Sequence, residues 1–360
     1  MSKKTKFVVA IIVVLIIVIV AIYSNNGNST KIKIGIVGHF SGDYASYGVP
    51  MKNAVELALS QIDPNGDKFE LVAEDDASTN VKAAAAVNKL INIDKVNFVI
   101  SAQSSGGASV VAPVTESNKK ILMITLASAP DLLKGTNYVF RSVPSDVYQG
   151  VKMFEYIDNV LKSEKVAGLY TNDPYGLGIN KIIETDLGAK NVDSEIFTPG
   201  STDFRTNLLK IKNSGVTTIV IVAKKEFPLI LKQIKELGIK ADIVASETFK
   251  DDTILANSGT SADGVVTFMA QPVDHVNFAS DYKNKFGVDP SAYSMYAYDG
   301  AIALMNAIKV SGDNVDKVKQ VLSKTNEGGA SGNVSFDQSG DRTGVDYLIF
   351  KVEGGKFVKI

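Results

Sequence analysis

The sequence contains no cysteine and only two histidines, His39 and His275, in 360 residues. Without cysteine the chain can form no disulfide bond and offers no thiolate as a nucleophile or metal ligand. Two histidines separated by most of the chain leave little material for a histidine metal cluster or a catalytic triad. These absences predict a protein that is not an enzyme and that holds no metal or other cofactor.

An excess of charge of either sign and the common catalytic motifs are missing too. The 38 Lys and Arg residues are balanced by 39 Asp and Glu residues, and a net charge of -1 offers no field to attract nucleic acid. The sequence lacks the P-loop pattern, H-E-x-x-H, G-x-S-x-G and, after its first predicted strand, the glycine-rich dinucleotide pattern. Nucleic acid is therefore not expected as a partner.

A long hydrophobic run occurs at the N-terminus. Lys3, Lys4 and Lys6 precede an unbroken apolar run at 7–23, and a polar stretch follows at 24–30. About 17 apolar residues stand at the lower limit of a membrane-spanning helix and just above the usual core of a secretory signal. The lysines favour a cytoplasmic N-terminus, and no clear small-x-small cleavage pair follows the run. Both interpretations export the rest of the chain, and we favour an uncleaved membrane anchor with a short linker, 1–30, over a removed signal peptide.

From residue 31 onward, short β-branched runs alternate with helical patterns. Strands are predicted at 31–37, 69–73, 96–100 and 121–124, with helices at 49–62, 81–91 and 107–116. The alternation starts again with strands at 166–170, 192–197, 216–222 and 243–245 and helices at 179–187, 204–211 and 227–237. Alternation of this kind implies parallel sheets covered by helices, and roughly 330 residues exceed what one core usually serves. We therefore predict an α/β protein with two doubly wound parallel-sheet lobes.

The order changes in the last part of the chain. Helices are predicted at 276–286 and 293–308, a strand at 333–336, and a hairpin of 347–352 with 356–359, turned at Gly354 and Gly355. This tail would recross to complete both lobes. The expected lobes are 31–144 with 272–330 and 145–271 with 331–360, and the first crossing is expected near 139–145.

Hydroxyl side chains are frequent in the loops after the predicted strands, where open parallel sheets bind their ligands. They are Ser41, Tyr44, Ser46 and Tyr47 after the first strand, Ser104 and Ser105 after the third, and Thr125 and Ser128 after the fourth. Gly106 and Gly107 follow the serine pair at a helix start, where free N–H groups would hold a carboxylate. The alternative is that Ser104 or Ser105 simply caps the helix.

The second series offers an opposite charge. Glu247 directly follows a predicted strand and would pair with an ammonium group there, unless it is an ordinary solvated loop acid. Tyr175 would cover a ligand with its ring, unless it packs on the surface beside a turn. Asp173 and Pro174 are typical of a helix start.

Several segments together resemble a known family. They are 31–48 (KIKIGIVGHFSGDYASYG), 74–78 (EDDAS), 127–132 (ASAPDL), 140–150 (FRSVPSDVYQG), 170–178 (YTNDPYGLG), 202–209 (TDFRTNLL) and 333–340 (NVSFDQSG). In this order they resemble the extracytoplasmic solute-binding proteins of branched-chain amino acid (Leu/Ile/Val-binding type) ABC transporters. The resemblance covers nearly everything after residue 30. It implies a type I periplasmic-binding fold, with two α/β lobes joined by three crossovers that close over a ligand.

The resemblance also implies roles for individual residues. Ser104 and Ser128 resemble the hydroxyl residues that bind the carboxylate of an amino acid, and Glu247 resembles the acid that pairs with its α-ammonium group. Tyr47 and Tyr175 resemble aromatic residues that line the cleft. The further ligand-binding candidates are Ser105 beside Ser104 and the backbone N–H at Leu126 or Ala127.

The sequence departs from the family pattern at two places. Residues 125–130 are one residue shorter than the usual stretch, which affects the backbone contact expected at Ala127. A position that is often tyrosine is Ala223, followed by Lys224 and Lys225, and a lysine near the pocket would favour an acidic ligand. The sequence therefore leaves the pocket for the ligand side chain undefined.

The expected function is capture of a small amino acid outside the cell and its delivery to the permease of an ABC transporter by cleft closure, with the chain acting as a monomer. The alternative is a ligand-sensing subunit for an amide, urea or small carboxylate that acts through a separate signalling partner. An enzyme is not expected, because no nucleophile with a base beside it is evident.

Overall fold

The computed structural model describes residues 31–271 and 273–360. The anchor or signal segment expected at 1–30 lies outside these residues. Among the described residues, no helix combines the length and the apolar character needed to cross a membrane.

The first series of elements forms a five-stranded parallel sheet. Its strands are β1 (Ile32–Gly38), β2 (Phe69–Asp75), β3 (Phe98–Ala102), β4 (Ile121–Ile124) and β5 (Val139–Arg141), and the helices between them are α1 (Ala45–Ile62), α2 (Asn80–Asn92) and α3 (Ser105–Ser117). The strand order is β2-β1-β3-β4-β5. Every residue of β3 and β4 is buried, as expected when helices cover both faces of a parallel sheet.

The second series forms another sheet. Its helices are α4 (Asp146–Glu155), which continues as a π-helix (Tyr156–Leu161), α5 (Pro174–Leu187), α6 (Arg205–Asn213), α7 (Phe227–Glu236) and α8 (Asp252–Ser258), and its strands are β6 (Val166–Thr171), β7 (Asn191–Phe197), β8 (Thr218–Val222), β9 (Asp242–Ala245) and β10 (Val266–Ala270). These five strands pair in parallel.

The tail contributes to both halves. It contains α9 (Phe278–Phe286), α10 (Ser294–Ser311), α11 (Val315–Leu322), a hairpin of β11 (Asn326–Gly329) and β12 (Gly332–Ser335), and a second hairpin of β13 (Tyr347–Glu353) and β14 (Lys356–Lys359). Helix α9 packs beside α1, where the Tyr282 hydroxyl donates to the carbonyl of Pro50. Strand β13 pairs antiparallel with β10, so the second sheet has the order β14-β13-β10-β9-β8-β6-β7.

The structure confirms an α/β fold with two parallel sheets and adds detail to it. The second sheet is mixed, because the terminal hairpin adds two antiparallel strands at its edge. Strands β5, β10 and β11 and helices α4, α8 and α11 were not expected from the sequence. Strand β5 has three residues, and its pairing with β4 is a long-range contact that local sequence does not specify.

The chain passes between the two sheets after β5, after β10 and before β13. Buried arginines tie the first and third passages together. Arg141 donates to both carboxylate oxygens of Asp341 and to the carbonyl of Ala129, and Arg342 donates to the carbonyl of Ser142 at 2.8 Å. Because a buried guanidinium without hydrogen-bond partners is strongly destabilising, these contacts fix how the first and third passages lie against each other.

The residue bounds of the two lobes stay a prediction. The hairpin of β11 and β12 spans the expected boundary at 330, and His275 donates its backbone N–H to the carbonyl of Gly329 in that hairpin. We propose that the hairpin belongs with the first lobe and that the second lobe resumes just before β13.

Candidate functional site

A cavity lies between the two lobes at the carboxyl ends of their strands, with an empty volume of about 480 Å³ including its mouth. The first lobe lines it with His39, Tyr44, Tyr47, Ser104, Ser105, Leu126, Ser128 and Tyr293, and the second with Tyr175, Lys224, Glu247 and Thr248. The loops after β1, β3 and β4 therefore face the loops after β6, β8 and β9, at the position that ligands occupy in open parallel sheets.

Three serines form the hydroxyl edge of this cavity. Ser104 occupies the N-cap position of α3, but its side chain makes no capping hydrogen bond, so simple capping is not its role. The Ser105 hydroxyl accepts the backbone N–H of Ala129 at 3.2 Å, which ties the start of α3 to the loop after β4. Ser128 lies in that loop and is buried. All three residues were predicted to lie near one another because they follow the carboxyl ends of strands in the same sheet.

Glu247 lies on the opposite side of the cavity, in a single 3-10 turn (Glu247–Phe249) directly after β9. It is 6% exposed, and its backbone N–H donates to Oε1 of Gln149 at 2.7 Å. The Tyr293 hydroxyl donates to the Glu247 carboxylate at 3.5 Å. Burial, followed by the charge of Asp146, raises the pKa of Glu247 to about 8. The carboxylate is thus buried, weakly hydrogen-bonded and open to a cationic group.

Asp146 is a second buried acid beside Glu247, and the sequence analysis did not single it out. Its Oδ1 accepts the amide of Gln149 at 2.9 Å, and its Oδ2 receives no hydrogen bond from any residue that the structure describes. Burial raises the pKa of Asp146 to about 7, while the charge of Arg141 acts in the opposite direction. Gln149 therefore bridges two acids whose ionised forms are both disfavoured.

Tyrosine rings form much of the remaining wall. Tyr47 packs edge-on against Tyr293, with 5.8 Å between ring centroids. The Tyr175 hydroxyl is 3.3 Å from Oγ1 of Thr248, whose own hydroxyl donates to the carbonyl of Ala223. Tyr175 is thus buried in the cleft rather than packed on the outer surface.

The two lysines whose effect the sequence left undefined both have acidic partners. Lys224 lies 2.6 Å from Asp173 and about 5.5 Å from the centre of the Tyr44 ring. Lys225 pairs with Asp43 of the other lobe, and both side chains of that pair are exposed. Because each ammonium group is already matched, these lysines give no support to an acidic ligand.

The structure places Ala127 differently from the other candidates. Its side chain is buried in the apolar core of the first lobe, and the neighbouring Leu126 lines the cavity instead. Tyr293 and Thr248 also line the cavity without having been singled out. Tyr293 comes from the part of the tail that was expected in the first lobe, but no local pattern indicates which side chains of that segment face the cavity.

His39 corrects one expectation of the sequence analysis. Its Nε2 lies 3.2 Å from Oγ of Ser104 and its Nδ1 lies 2.7 Å from Oδ1 of Asp76, so a serine does have a histidine beside it. The contact was missed because the three residues follow three different strands. Among residues 31–271 and 273–360, no three His, Cys, Asp or Glu side chains are grouped so as to hold a metal ion.

Two lobes joined by three passages, with a largely apolar cavity between them that carries a few hydroxyl and acidic groups, define a two-lobed ligand-binding protein. Comparison with known families agrees, since residues 31–356 match the model of a periplasmic binding protein family. The chain belongs to that family, whose members act outside the cytoplasm.

Individual relatives are similar over nearly the full chain. The Leu/Ile/Val-binding protein homolog 2 of Brucella abortus is 28% identical over 345 residues, which cover 91% of this chain and 92% of the relative. The branched-chain amino acid transporter substrate-binding protein of Streptococcus pneumoniae, solved with isoleucine, is 26% identical with a TM-score of 0.79, covering 92% of this chain and all of that one. A leucine-binding protein of Thermotoga maritima has a TM-score of 0.83 at 23% identity, covering 91% and 97% of the two chains, and supports the fold.

Proposed function

We propose that this chain binds a small amino acid, branched-chain or closely related, outside the cytoplasm and delivers it to the permease of an ABC transporter. The relatives named above that are more than 25% identical are a Leu/Ile/Val-binding protein homolog and a branched-chain amino acid transporter substrate-binding protein. These names favour transport over the alternative, a sensing subunit for an amide, urea or small carboxylate. In our proposal the chain acts as a monomer, held at the membrane by its N-terminal segment, and is not an enzyme.

The observation that carries the proposal is the opposition of two kinds of group across one cavity. Ser104, Ser105 and Ser128 line one side, and the weakly hydrogen-bonded acid Glu247 lines the other. A zwitterion places its carboxylate at the hydroxyls and its ammonium at the acid. Burial of either charge without a partner costs several kcal/mol, so both groups of the ligand contribute to recognition.

Closure follows from the same arrangement. The hydroxyl edge belongs to the first lobe and Glu247 to the second, so an amino acid that touches both stabilises the closed arrangement over an open one. Tyr47 and Tyr175 would line the side-chain pocket from the two lobes. The backbone N–H expected near Ala127 remains a proposed additional contact to the carboxylate.

Calorimetry of the purified chain with three matched ligands tests the proposal. L-leucine is expected to bind, isocaproate lacks the ammonium group, and isoamylamine lacks the carboxylate. Loss of either charge is expected to weaken binding by at least about a hundredfold, because a buried partner is left unpaired. Equal affinities for L-leucine and isocaproate would contradict the proposal.

A further inference from the structure

A buried polar network connects the cavity wall to the loops behind it. Oδ1 of Asp76 accepts from Nδ1 of His39 at 2.7 Å and from the backbone N–H of Ser78 at 2.8 Å. Oδ2 of Asp76 accepts the side-chain amide of Gln103 at 2.6 Å. Asp76 and Gln103 are fully buried and His39 is nearly so. The network thus joins the loops that follow β1, β2 and β3, three neighbouring strands.

The contacts of His39 fix its tautomer. The backbone N–H of Ser104 donates to Nε2 at 2.9 Å, and because a backbone amide can only donate, Nε2 carries no proton. The remaining ring nitrogen, Nδ1, then carries the proton that is donated to Asp76. His39 is therefore a neutral ring that takes one hydrogen bond at Nε2 and gives one at Nδ1.

The hydroxyl of Ser104 also contacts Nε2 of His39, at a longer distance than the backbone N–H does. Its Oγ lies 3.2 Å from Nε2, a longer contact than the one made by the backbone N–H. The hydroxyl can turn its proton to a ligand without leaving Nε2 unpaired, because the backbone bond remains. Ser104 makes no capping bond that would compete for this hydroxyl.

We propose that His39 and Asp76 are positioning residues for the ligand carboxylate, which act by holding the backbone of Ser104 so that its hydroxyl faces the cavity. This inference rests on the proposed function, because it assumes a carboxylate at Ser104. His39 itself also lines the cavity, so the test must separate a contact of its own from an action through Ser104.

Asp76, His39 and Ser104 are the residue types of a hydrolytic triad. Their geometry instead suits the positioning of the Ser104 hydroxyl. A general base needs a free lone pair facing the nucleophile, and the backbone N–H of Ser104 already occupies that lone pair at 2.9 Å. The network holds the serine in place and leaves the hydroxyl proton for a ligand.

Two variants at His39 test the roles of its two ring nitrogens separately. His39→Asn keeps a donor near the position of Nδ1, for Asp76, but loses the acceptor for Ser104. His39→Gln keeps an acceptor near the position of Nε2 but loses the donor. If His39 acts through Ser104, His39→Asn weakens L-leucine binding by about tenfold or more, while His39→Gln retains most of the affinity. His275→Gln, at the exposed second histidine, is the control and is expected to bind unchanged.

A double-mutant cycle distinguishes positioning from a general structural role. In a Ser104→Ala background, His39→Asn is expected to cause little further loss, because the hydroxyl that it positions is absent. Additive losses would overturn the proposal. So would equal affinity of His39→Asn and the unaltered chain, or hydrolysis of leucine methyl ester that depends on Ser104.

A measurement on the unaltered chain decides the matter if a variant fails to fold. Nitrogen-15 NMR of the labelled histidines is expected to show His39 protonated at Nδ1 and unprotonated at Nε2, and a protonated Nε2 would overturn the proposal. Failure of the proposed function is distinguishable, because the unaltered chain would then bind no amino acid at all.

Discussion

The hydroxyl of Tyr293, from the first lobe, donates a hydrogen bond of 3.5 Å to Oε1 of Glu247 in the second lobe. Among the described residues this is the one hydrogen bond that the Glu247 carboxylate receives. A buried acid normally has several donors, and each strong donor lowers its pKa. Glu247 instead has a raised pKa and faces a cavity, so it is suited to a ligand that brings its own positive charge.

Ligand binding is expected to release protons. The pKa of Glu247 is raised to about 8, so the group is largely protonated at pH 7, and a bound ammonium group favours its ionised form. Affinity for L-leucine should therefore rise between about pH 6 and pH 8. Calorimetry at pH 7 in buffers of different ionisation enthalpy is expected to show net proton release, and Glu247→Gln should largely remove it. Proton uptake on binding would contradict this account.

The stability of the ligand-free chain should depend on pH in a particular direction. Glu247 has a pKa near 4.5 when unfolded and about 8 when folded, so between these values the folded state binds more protons. The free energy of unfolding contributed by this group therefore falls as pH rises from about 4.5 to about 8. Asp146 acts in the same sense up to about pH 7. For Asp146→Asn, the free energy of unfolding is expected to depend less on pH over this range. An unchanged pH dependence would argue against the raised pKa of Asp146.

The exposed ion pair between Lys225 and Asp43 should contribute little. The pair joins the lobes next to the cavity-lining residues Tyr44 and Lys224 in sequence, but its charges are exposed to water and screened by salt. Lys225→Ala is expected to speed ligand dissociation by no more than about fivefold at low salt, with the difference vanishing at high salt. Lys283→Ala, which breaks a similarly exposed pair with Asp289 inside one lobe, is the control and should leave dissociation unchanged. A larger effect of Lys225→Ala that persists in high salt would be inconsistent with this view.

Gly48 is required by the close approach of α1 to the His39 loop. A Cβ at this position would lie 2.1 Å from the carbonyl oxygen of His39, so Gly48→Ala must displace one of the two segments. A loss of about 1–3 kcal/mol in the free energy of unfolding is expected, as for other overpacked sites. Gly328→Ala is the control, because the nearest atom to its Cβ is 3.4 Å away, and equal stability of the two variants would contradict the argument.

Much of the fold could be predicted because strands such as β3 and β8 are rich in apolar and β-branched residues and are buried on both faces. The mixed edge of the second sheet could not be predicted, because the pairing of β13 with β10 joins residues that are far apart in sequence. Local patterns carry no record of such pairing.

The location of the cavity could be predicted from the sequence, but most contacts among its residues could not. The strand-end rule found Ser104, Ser128 and Glu247, and all three line the cavity, although their binding of a ligand stays a prediction. His39 and Asp146 were missed because their chemistry depends on neighbours that other strands supply. The effect of Lys224 on ligand choice could not be judged from the sequence for the same reason, since its ion pair with Asp173 forms only in the folded chain.

Glu247 is proposed to recognise the ammonium group of an amino acid. Calorimetric titration of Glu247→Gln with L-leucine and isocaproate tests it most directly, with the exposed variant Glu353→Gln as control. Glu247→Gln is expected to lose at least about a hundredfold in affinity for L-leucine, to keep a single cooperative unfolding transition, and no longer to distinguish L-leucine strongly from isocaproate. Unchanged affinity for L-leucine in a folded Glu247→Gln variant would contradict it.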